Sequence, residues 1–180
     1  MAEIDQHQGP SSTAHLPSIP ISTGALIFDH ADRLLILKPT YKSGWTIPGG
    51  IMEADGESPW QACRREIREE CGLDIASARL ACMDFRPRRK GRSGGVRFLF
   101  DCGAQPASTV NTIVLQAAEI SEYRLAPMPE ALALLRKPIR RRVRAVRKRN
   151  GAARKHAPVY LENGRPVPAV AARPAISRTH

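Results

Sequence analysis

The stretch GGIMEADGESPWQACRREIREECGL, residues 49–73, decides the fold, because it combines a rigid glycine bend with a strongly marked helix. Ser58 is a favourable N-cap residue, Pro59 suits the first helical position, and Gln61 completes a capping box with Ser58. Gly72 is suited to ending the helix in the left-handed conformation. The sequence therefore predicts a helix between these two caps, entered from a Pro-Gly-Gly bend.

The helical spacing separates a buried stripe from an acidic side. At about 100° per residue, four side chains fall on one narrow stripe: Trp60, Cys63, Ile67 and Cys71. Three carboxylates, those of Glu66, Glu69 and Glu70, follow one another at spacings of three and four and share another side. On this geometry Glu70 and then Glu66 border the buried stripe, whereas Glu69 faces further out.

This acidic side has two interpretations, because three like charges within about one turn repel and burying a carboxylate without a partner is costly. The first is structural: a solvated acidic side neutralised by the arginines Arg64, Arg65 and Arg68. The second is a hard divalent cation, of which magnesium suits one or two carboxylates together with substrate phosphates. The rigid bend, the additional acid Glu57 and the nearby buried stripe favour the metal site.

The segment resembles the Nudix box, which contains a Gly, a Glu and then the run Arg-Glu-apolar-x-Glu-Glu-x-Gly-apolar. Glu57 is followed by seven residues and then by residues 65–73, REIREECGL, which fit the pattern at every position. Gly50 and Glu57 are separated by one residue more than in the pattern, so Asp55-Gly56 is interpreted as a one-residue insertion. The similarity extends over roughly residues 21–167. It implies an α/β fold in which a mixed β-sheet is sandwiched between α-helices.

The resemblance also implies a function: a magnesium- or manganese-dependent hydrolase that cleaves the diphosphate of a nucleoside diphosphate linked to another moiety. This reaction needs neutralised phosphates, an oriented water and a stabilised leaving group, all of which metal ions held by glutamates supply. Two alternatives stay open. One is a catalytically silent Nudix module that senses a nucleotide, and the other is an RNA 5′-end pyrophosphohydrolase that uses the basic C-terminal helix.

The family pattern assigns roles to individual residues of this chain. The implied metal ligands are three carboxylates: Glu66, Glu69 and Glu70. Arg65 is expected to act at the catalytic site by pairing with Glu57 and Glu69, which it orients, rather than by touching substrate. Gly50 is the predicted cofactor-binding position. The general base varies across the family, and the candidates, each of which is otherwise a plain surface carboxylate, are Glu119 and Glu122.

The 180-residue chain carries a net charge of +11, but this charge is unevenly distributed. Residues 1–135 hold 14 Lys/Arg and 16 Asp/Glu, whereas residues 136–180 hold 14 Lys/Arg and a single acid, Glu162. The globular part is therefore electrically ordinary. Residues 136–155 could bind nucleic acid, but a docked terminal helix with a solvated basic side is favoured. The segment Arg86–Arg97 could reach substrate phosphates or form a charged hairpin loop.

Composition and apolar runs predict the remaining organisation. Residues 1–20 are interpreted as a flexible arm, 21–149 as the Nudix domain and 150–180 as a basic Pro/Ala-rich extension. Asn163-Gly164 between short apolar pieces predicts a hairpin at 159–167 that docks on the domain. Strands are expected in GALIF, RLLILK, WTIPGG, ARLACMDF, VRFLFDC, TVNTIVL and EYRLAP, and helices in PEALALL and IRRRVRAVRKR.

Cysteine usage and the N-terminus predict a cytoplasmic protein. The four cysteines form no CxxC pair and are expected to be reduced and buried. The start lacks the pattern of a secretory signal, and no apolar run is long enough to span a membrane, so no membrane contact is expected. The expected partner is a small molecule of the nucleoside-diphosphate type, and the protein is expected to be a monomer or a homodimer.

Overall fold

A seven-stranded mixed sheet forms the centre of the structure, a computed structural model that describes residues 18–150 and 157–167. The strands are β1 (Ile21–Phe28), β2 (Leu34–Pro39), β3 (Arg79–Arg86), β4 (Gly95–Ala104), β5 (Ile120–Ala126), β6 (Val159–Glu162) and β7 (Arg165–Pro166). Their order in the sheet is β5-β2-β1-β4-β3-β6-β7. The pairs β1–β4 and β3–β6 are parallel and the other neighbours antiparallel, so the predicted mixed sheet is confirmed.

Helices cover both faces of this sheet. In the described residues they are α1 (Pro59–Cys71), α2 (Ala107–Val110), α3 (Met128–Leu134) and α4 (Lys137–Asn150). Successive side chains of a strand point to opposite faces, so β1 and β2 contribute to two separate cores. One core joins the sheet to α1: Ala25, Ile27, Leu35, Leu37, Cys63, Ile67 and Cys71. The other joins it to α3 and α4: Leu26, Phe28, Leu34, Ile36, Ala131, Val143 and Val146. The predicted sandwich is therefore confirmed.

Helix α1 begins and ends where the sequence predicts. Ser58 Oγ accepts a hydrogen bond from Gln61 N at 3.3 Å, and Gln61 Oε1 accepts one from Ser58 N at 2.7 Å, which completes the capping box. Gly72 ends the helix at φ 68°, and its N–H donates to Arg68 O. The predicted stripe is fully buried at Cys63, Ile67 and Cys71.

The strand predicted for TVNTIVL, residues 109–115, is wrong. This segment contains the end of α2 and an irregular stretch. The N–H of Val114 donates to Cys71 O at 3.0 Å, and the N–H of Gln116 donates to Glu70 O at 3.4 Å. These bonds supply partners to the last carbonyls of α1, which have none within the helix. The segment therefore closes the end of α1 instead of joining the sheet.

The short strand predicted in WTIPGG is reduced to single bridges, between Trp45 and Leu135 and between Thr46 and Leu37. The residues that follow bend along β1 instead. The carbonyls of Pro48 and Gly50 accept hydrogen bonds of 2.8 Å from the N–H groups of Ala25 and Thr23, respectively. Pro48 itself has no N–H to donate, which helps to end regular pairing at this point.

Beyond α4, a short hairpin covers the edge of β3. Asn163 and Gly164 have φ values of 53° and 74°, as the central residues of a type I′ turn require, and join β6 to β7. Asp84 of β3 is 1% exposed. It accepts hydrogen bonds from Gly164 N at 2.8 Å and from Arg142 Nε of α4 at 2.6 Å. One carboxylate thus connects β3, α4 and the hairpin.

Some of the sequence-based predictions lie outside the described residues: the N-terminal arm up to residue 17 and the extension at 151–156 and 168–180. All four cysteines are free and buried, as expected. Among the helices of residues 18–150 and 157–167, none combines the length and apolar character needed to cross a membrane.

Candidate functional site

The glycine bend lies directly against two carboxylates of α1. Glu70 Oε2 accepts a hydrogen bond from Gly49 N at 2.7 Å. A Cβ atom at position 50 would lie 2.3 Å from Glu66 Oε1, far inside van der Waals contact. Gly50 therefore lets the Glu66 carboxylate lie directly against the backbone, and a side chain at position 50 would displace that carboxylate.

The three glutamates of α1 differ in exposure, in the order that the helical geometry predicts. Glu70 is 5% exposed. The side chain of Glu66 is 14% exposed and that of Glu69 is 48% exposed. Glu66 and Glu70 consequently face the bend, and Glu69 lies at the surface.

The two inner carboxylates are short of positive charge. Burial, together with the charges of Glu66 and Glu119, raises the pKa of Glu70 to about 7, against the hydrogen bond from Gly49 N. Burial also raises the pKa of Glu66, against the opposing charge of Arg65. Both shifts indicate ionised forms that are poorly compensated and would gain from a nearby cation.

Arg65 connects the acidic residues around the start of α1. Its Nη2 and Nε donate to the Glu57 carboxylate at 2.9 and 3.2 Å. Its Nη1 donates to Glu69 Oε2 at 3.0 Å and to Glu66 Oε1 at 3.2 Å. The expected pairing with Glu57 and Glu69 is therefore present, with Glu66 as a further partner. The hydrogen bond from Arg65 lowers the pKa of Glu57.

The three glutamates do not form a ready-made metal cage. Within residues 18–150 and 157–167, no group of three or more His, Cys, Asp or Glu residues is placed to hold a metal ion. Arg65 engages Glu69 and shares Glu66, so Glu70 and Glu66 are the carboxylates left facing the bend. Two carboxylates would suit magnesium, which proteins usually hold through one or two carboxylates together with substrate phosphates.

The extra residue before Glu57 is accommodated as a surface turn. Asp55 Oδ1 accepts a hydrogen bond from Glu57 N at 3.0 Å. Gly56 has a φ of 97°, and a Cβ there would meet nothing within 4 Å. The insertion therefore leaves two contacts in place: the hydrogen bonds from Arg65 to Glu57, and the close packing of Gly50 against the Glu66 carboxylate.

The two candidates for the general base lie in different surroundings. The charge of Glu119 acts on both Glu66 and Glu70. Glu122, on β5, pairs with Arg124 at 2.9 Å and with Lys38 at 3.6 Å. The hydrogen bond from Arg124 and the charges of both cations lower the pKa of Glu122. Of the two, Glu119 is electrostatically coupled to the inner carboxylates.

A cavity of about 280 Å³ adjoins Gly49 and Gly50, and we call it the glycine cavity. Its basic side chains are Lys42, Arg86, Arg97, Arg136 and Arg142. Four of them belong to the predicted basic segment and the basic C-terminal run, whereas no sequence pattern singles out Lys42. They converge only through the packing of separate elements, so no local spacing connects them. Two signals point toward them, the basic segment Arg86–Arg97 and the excess of basic residues after position 135.

A family model described as the NUDIX domain matches residues 19–146 of this chain. A protein of Streptomyces ambofaciens described as MutT-like is 28% identical over 119 residues, which cover 63% of this chain and 74% of that protein.

Solved structures share the fold. The MutT protein of Methanosarcina mazei Go1 is 24% identical, with a TM-score of 0.63, over 74% of this chain and 96% of that chain. The NUDIX domain of Shewanella oneidensis NrtR, solved with ADP ribose, is 18% identical, with a TM-score of 0.61, over 74% of this chain and 90% of that chain. At these identities the likeness establishes the architecture alone.

Proposed function

The chain belongs to the NUDIX domain family and is a hydrolase of phosphoric anhydride bonds; from this premise we propose that it is a divalent-metal-dependent pyrophosphohydrolase. Members of the family generally act on nucleoside diphosphate derivatives. The proposed substrate is a nucleoside diphosphate linked to another moiety. The observation that carries the proposal is the pair Glu66 and Glu70, two inner carboxylates held against the backbone of Gly49 and Gly50.

Glu66 and Glu70 are the residues that would hold Mg²⁺ or Mn²⁺, with Glu69 contributing directly or through water. When bound, such an ion neutralises charge on the phosphates and lowers the pKa of a water molecule. The hydrogen bond from Gly49 N fixes one oxygen of Glu70. The missing side chain at Gly50 leaves the space that the Glu66 carboxylate occupies.

Arg65 and Glu57 are positioning residues in this proposal. Arg65 donates to Glu57, Glu66 and Glu69, so its guanidinium fixes the orientation of the acidic side chains around it. Glu57 in turn accepts a hydrogen bond from Glu53 N at 2.6 Å, which anchors the Arg65 network to the loop before α1.

The proposed reaction is the hydrolysis of one P–O–P bridge. The water oxygen bonds to one phosphorus atom, the bond from that atom to the bridging oxygen breaks, and the bridging oxygen leaves on the other phosphate. A carboxylate accepts the proton that the water loses. We assign this role to Glu119, because its charge acts on both inner carboxylates, and keep Glu122 as the second candidate. The products are a nucleoside monophosphate and a second phosphorylated compound.

The first test replaces a proposed metal ligand. Glu70→Gln should lower phosphoanhydride hydrolysis at least about 100-fold, because removing a direct ligand should cost no less than losing an outer-sphere partner. The measurement is product identification by mass spectrometry over a panel of nucleotides with Mg²⁺ and with Mn²⁺. Glu130→Gln, the same change at an exposed carboxylate of α3, is the matched control and should keep its activity. Equal and negligible turnover by wild type and Glu70→Gln would favour the silent, nucleotide-sensing module.

The second test compares the two base candidates. Glu119→Gln should lower kcat by about 100-fold or more and flatten the acidic limb of the pH profile, as loss of a general base does. Glu122→Gln should leave both the rate and the profile close to wild type, because Glu122 is occupied by Arg124 and Lys38. The reverse result would transfer the role to Glu122.

A further inference from the structure

A second and larger cavity, of about 560 Å³, lies between the turn that follows β3, the start of α4 and the β6–β7 hairpin. We call it the hairpin cavity. Seven basic side chains line it, against two carboxylates, those of Asp84 and Glu162. The cavity is thus strongly positive, and four of its seven basic residues come from the basic part of the chain after position 135.

The two carboxylates offset only part of this charge, because seven cations against two acids leave an excess of five, and Asp84 pairs with Arg142, one of the seven. Asp84 is buried and accepts hydrogen bonds from Arg142 and from Gly164 N. Glu162 accepts a hydrogen bond from the Tyr160 hydroxyl at 3.2 Å. In the part of the chain that the structure describes, Arg89, Arg92 and Arg141 form no salt bridge with an acid.

Positively charged arginines lie close together in the wall between the two cavities. Arg86, Pro138 and Arg142 line both the glycine cavity and the hairpin cavity. Arg97 lies beside this wall, and its guanidinium donates to backbone carbonyls, among them Gly94 O at 3.1 Å. Burial and the charges of Arg142 and Arg86 lower the pKa of Arg97. Guanidinium groups crowded in this way are stabilised by an anion.

The basic residues of the hairpin cavity are held by ordered backbone. Arg89 and Arg92 pair across a tight turn, with reciprocal hydrogen bonds of 3.1 and 2.9 Å between their backbones. Lys137 and Pro138 begin the 14-residue helix α4, whose N-terminal end adds a partial positive charge. The described lining of this cavity contains no aromatic side chain on which a nucleobase would stack. Its chemistry therefore suits phosphate rather than a base.

We propose that the substrate carries a phosphate group in addition to the diphosphate that is cleaved, and that the hairpin cavity binds this group. The inference rests on the proposed function, because it takes the glycine cavity, which touches Gly49 and Gly50, as the place of the scissile diphosphate. The extra group is either the continuation of a phosphate chain or a phosphate monoester on the distal part of the molecule. Both have the same chemistry, a compact dianion that accepts hydrogen bonds from arginine.

The test is equilibrium binding in EDTA, which needs no turnover, with two pairs of compounds. NADP⁺ is compared with NAD⁺ for a monoester, and diadenosine tetraphosphate with diadenosine diphosphate for a chain. In wild type, one phosphate-rich member should bind about tenfold more tightly than its partner, the gain expected from a charge-assisted hydrogen bond. The pair that shows this advantage identifies the source of the phosphate.

Two variants locate the binding site. Arg141→Ala in α4 and Arg89→Ala in the exposed turn should each abolish most of the advantage. If Arg141→Ala is unstable, Arg89→Ala still tests the site, because Arg89 lies at an exposed position. Arg144→Ala is the matched control, because Arg144 lies on an exposed position of the same helix and lines neither cavity, and it should keep the advantage.

Several results would overturn the inference. One is equal binding within both pairs, and another is an undiminished advantage in Arg89→Ala and Arg141→Ala. A third is that a short 5′-phosphorylated RNA binds more tightly than any small compound and that Arg89→Ala and Arg141→Ala both lose this preference. That result would assign the cavity to nucleic acid. Because binding is measured without metal, an inactive protein that still shows the phosphate advantage would contradict the proposed hydrolysis and leave the anion site intact.

Discussion

Glu70 is a single residue whose protonation affects both the stability of the fold and its proposed role as a metal ligand. Its burial raises its pKa to about 7 from an ordinary value of 4.5. The folded protein without metal therefore binds more protons than the unfolded chain between these two values. The residue favours folding in its protonated form and opposes folding once it is ionised, which is the state that a divalent cation needs.

This linkage gives a pH prediction for the metal-free protein. The contribution of Glu70 to stability is fully present below pH 4.5 and is lost as the pH rises through about 7, and the loss amounts to roughly 3 kcal/mol. The measurement is urea unfolding in EDTA at several pH values, expressed as the difference between wild type and Glu70→Gln. That difference should shift against wild type with rising pH, and a parallel series with Mn²⁺ in place of EDTA should reverse the shift, because the ion binds the folded state. A pH-independent difference would contradict the burial argument.

At the scale of the element, α1 supplies both the packing and the carboxylates, so its caps support the site. The Ser58–Gln61 capping box fixes the first turn, next to the loop that presents Glu57 to Arg65. The irregular segment after α2 closes the other end through the N–H groups of Val114 and Gln116. Both ends of α1 are thereby anchored.

Ser58→Ala should lower the free energy of unfolding by about 1 kcal/mol, the usual cost of losing an N-cap hydroxyl. Chemical denaturation measures this change directly. Ser77→Ala, at an exposed loop position after α1, removes a serine hydroxyl that caps no helix and should leave the free energy of unfolding unchanged. Equal effects of the two substitutions would show that the capping box contributes nothing.

Helix α1 shows which structural features can be predicted from the sequence. The caps of the helix follow from the residue types at its two ends. The burial order of Glu70, Glu66 and Glu69 follows from the helical spacing of about 100° per residue. Both are local information. The strand predicted for residues 109–115 does not form, and the distant carbonyl of Cys71 takes the N–H of Val114 instead of a sheet neighbour. Lys42 escapes prediction for a related reason, since only the assembled fold brings it to one cavity with Arg97.

At the scale of the whole molecule, two arginines of α4 form ion pairs in contrasting surroundings, Arg142 with β3 and Arg147 with the turn between β1 and β2. Arg142 pairs with Asp84 at 2.6 Å, where the two side chains are 8% and 1% exposed. Arg147 pairs with Asp32 at the same distance, where the side chains are 39% and 61% exposed. Arg142 donates to Asp84 through Nε, whereas both Nη atoms of Arg147 donate to Asp32, so the exposed pair has more hydrogen bonds and the buried pair is the one shielded from solvent.

Asp84→Asn should destabilise the protein by about 3 kcal/mol or more, because it leaves the charge of Arg142 buried without its partner. Asp32→Asn should cost less than about 1 kcal/mol, since water screens and replaces an exposed ion pair. Thermal and urea unfolding of the two variants side by side measure the contrast. Similar losses in both would mean that burial does not set the strength of the Asp84 contact.

The parallel pairing of residues 82–85 with 159–162 also has a consequence for biosynthesis. Translation proceeds from the N-terminus, so β1, β4 and β3 emerge well before the strand that covers the outer side of β3. Until that strand arrives, one flank of the sheet has free amide and carbonyl groups, on which a second nascent chain could add a strand. Neighbouring polypeptides on one messenger RNA therefore risk joining through this flank until the final turn at Asn163 is made.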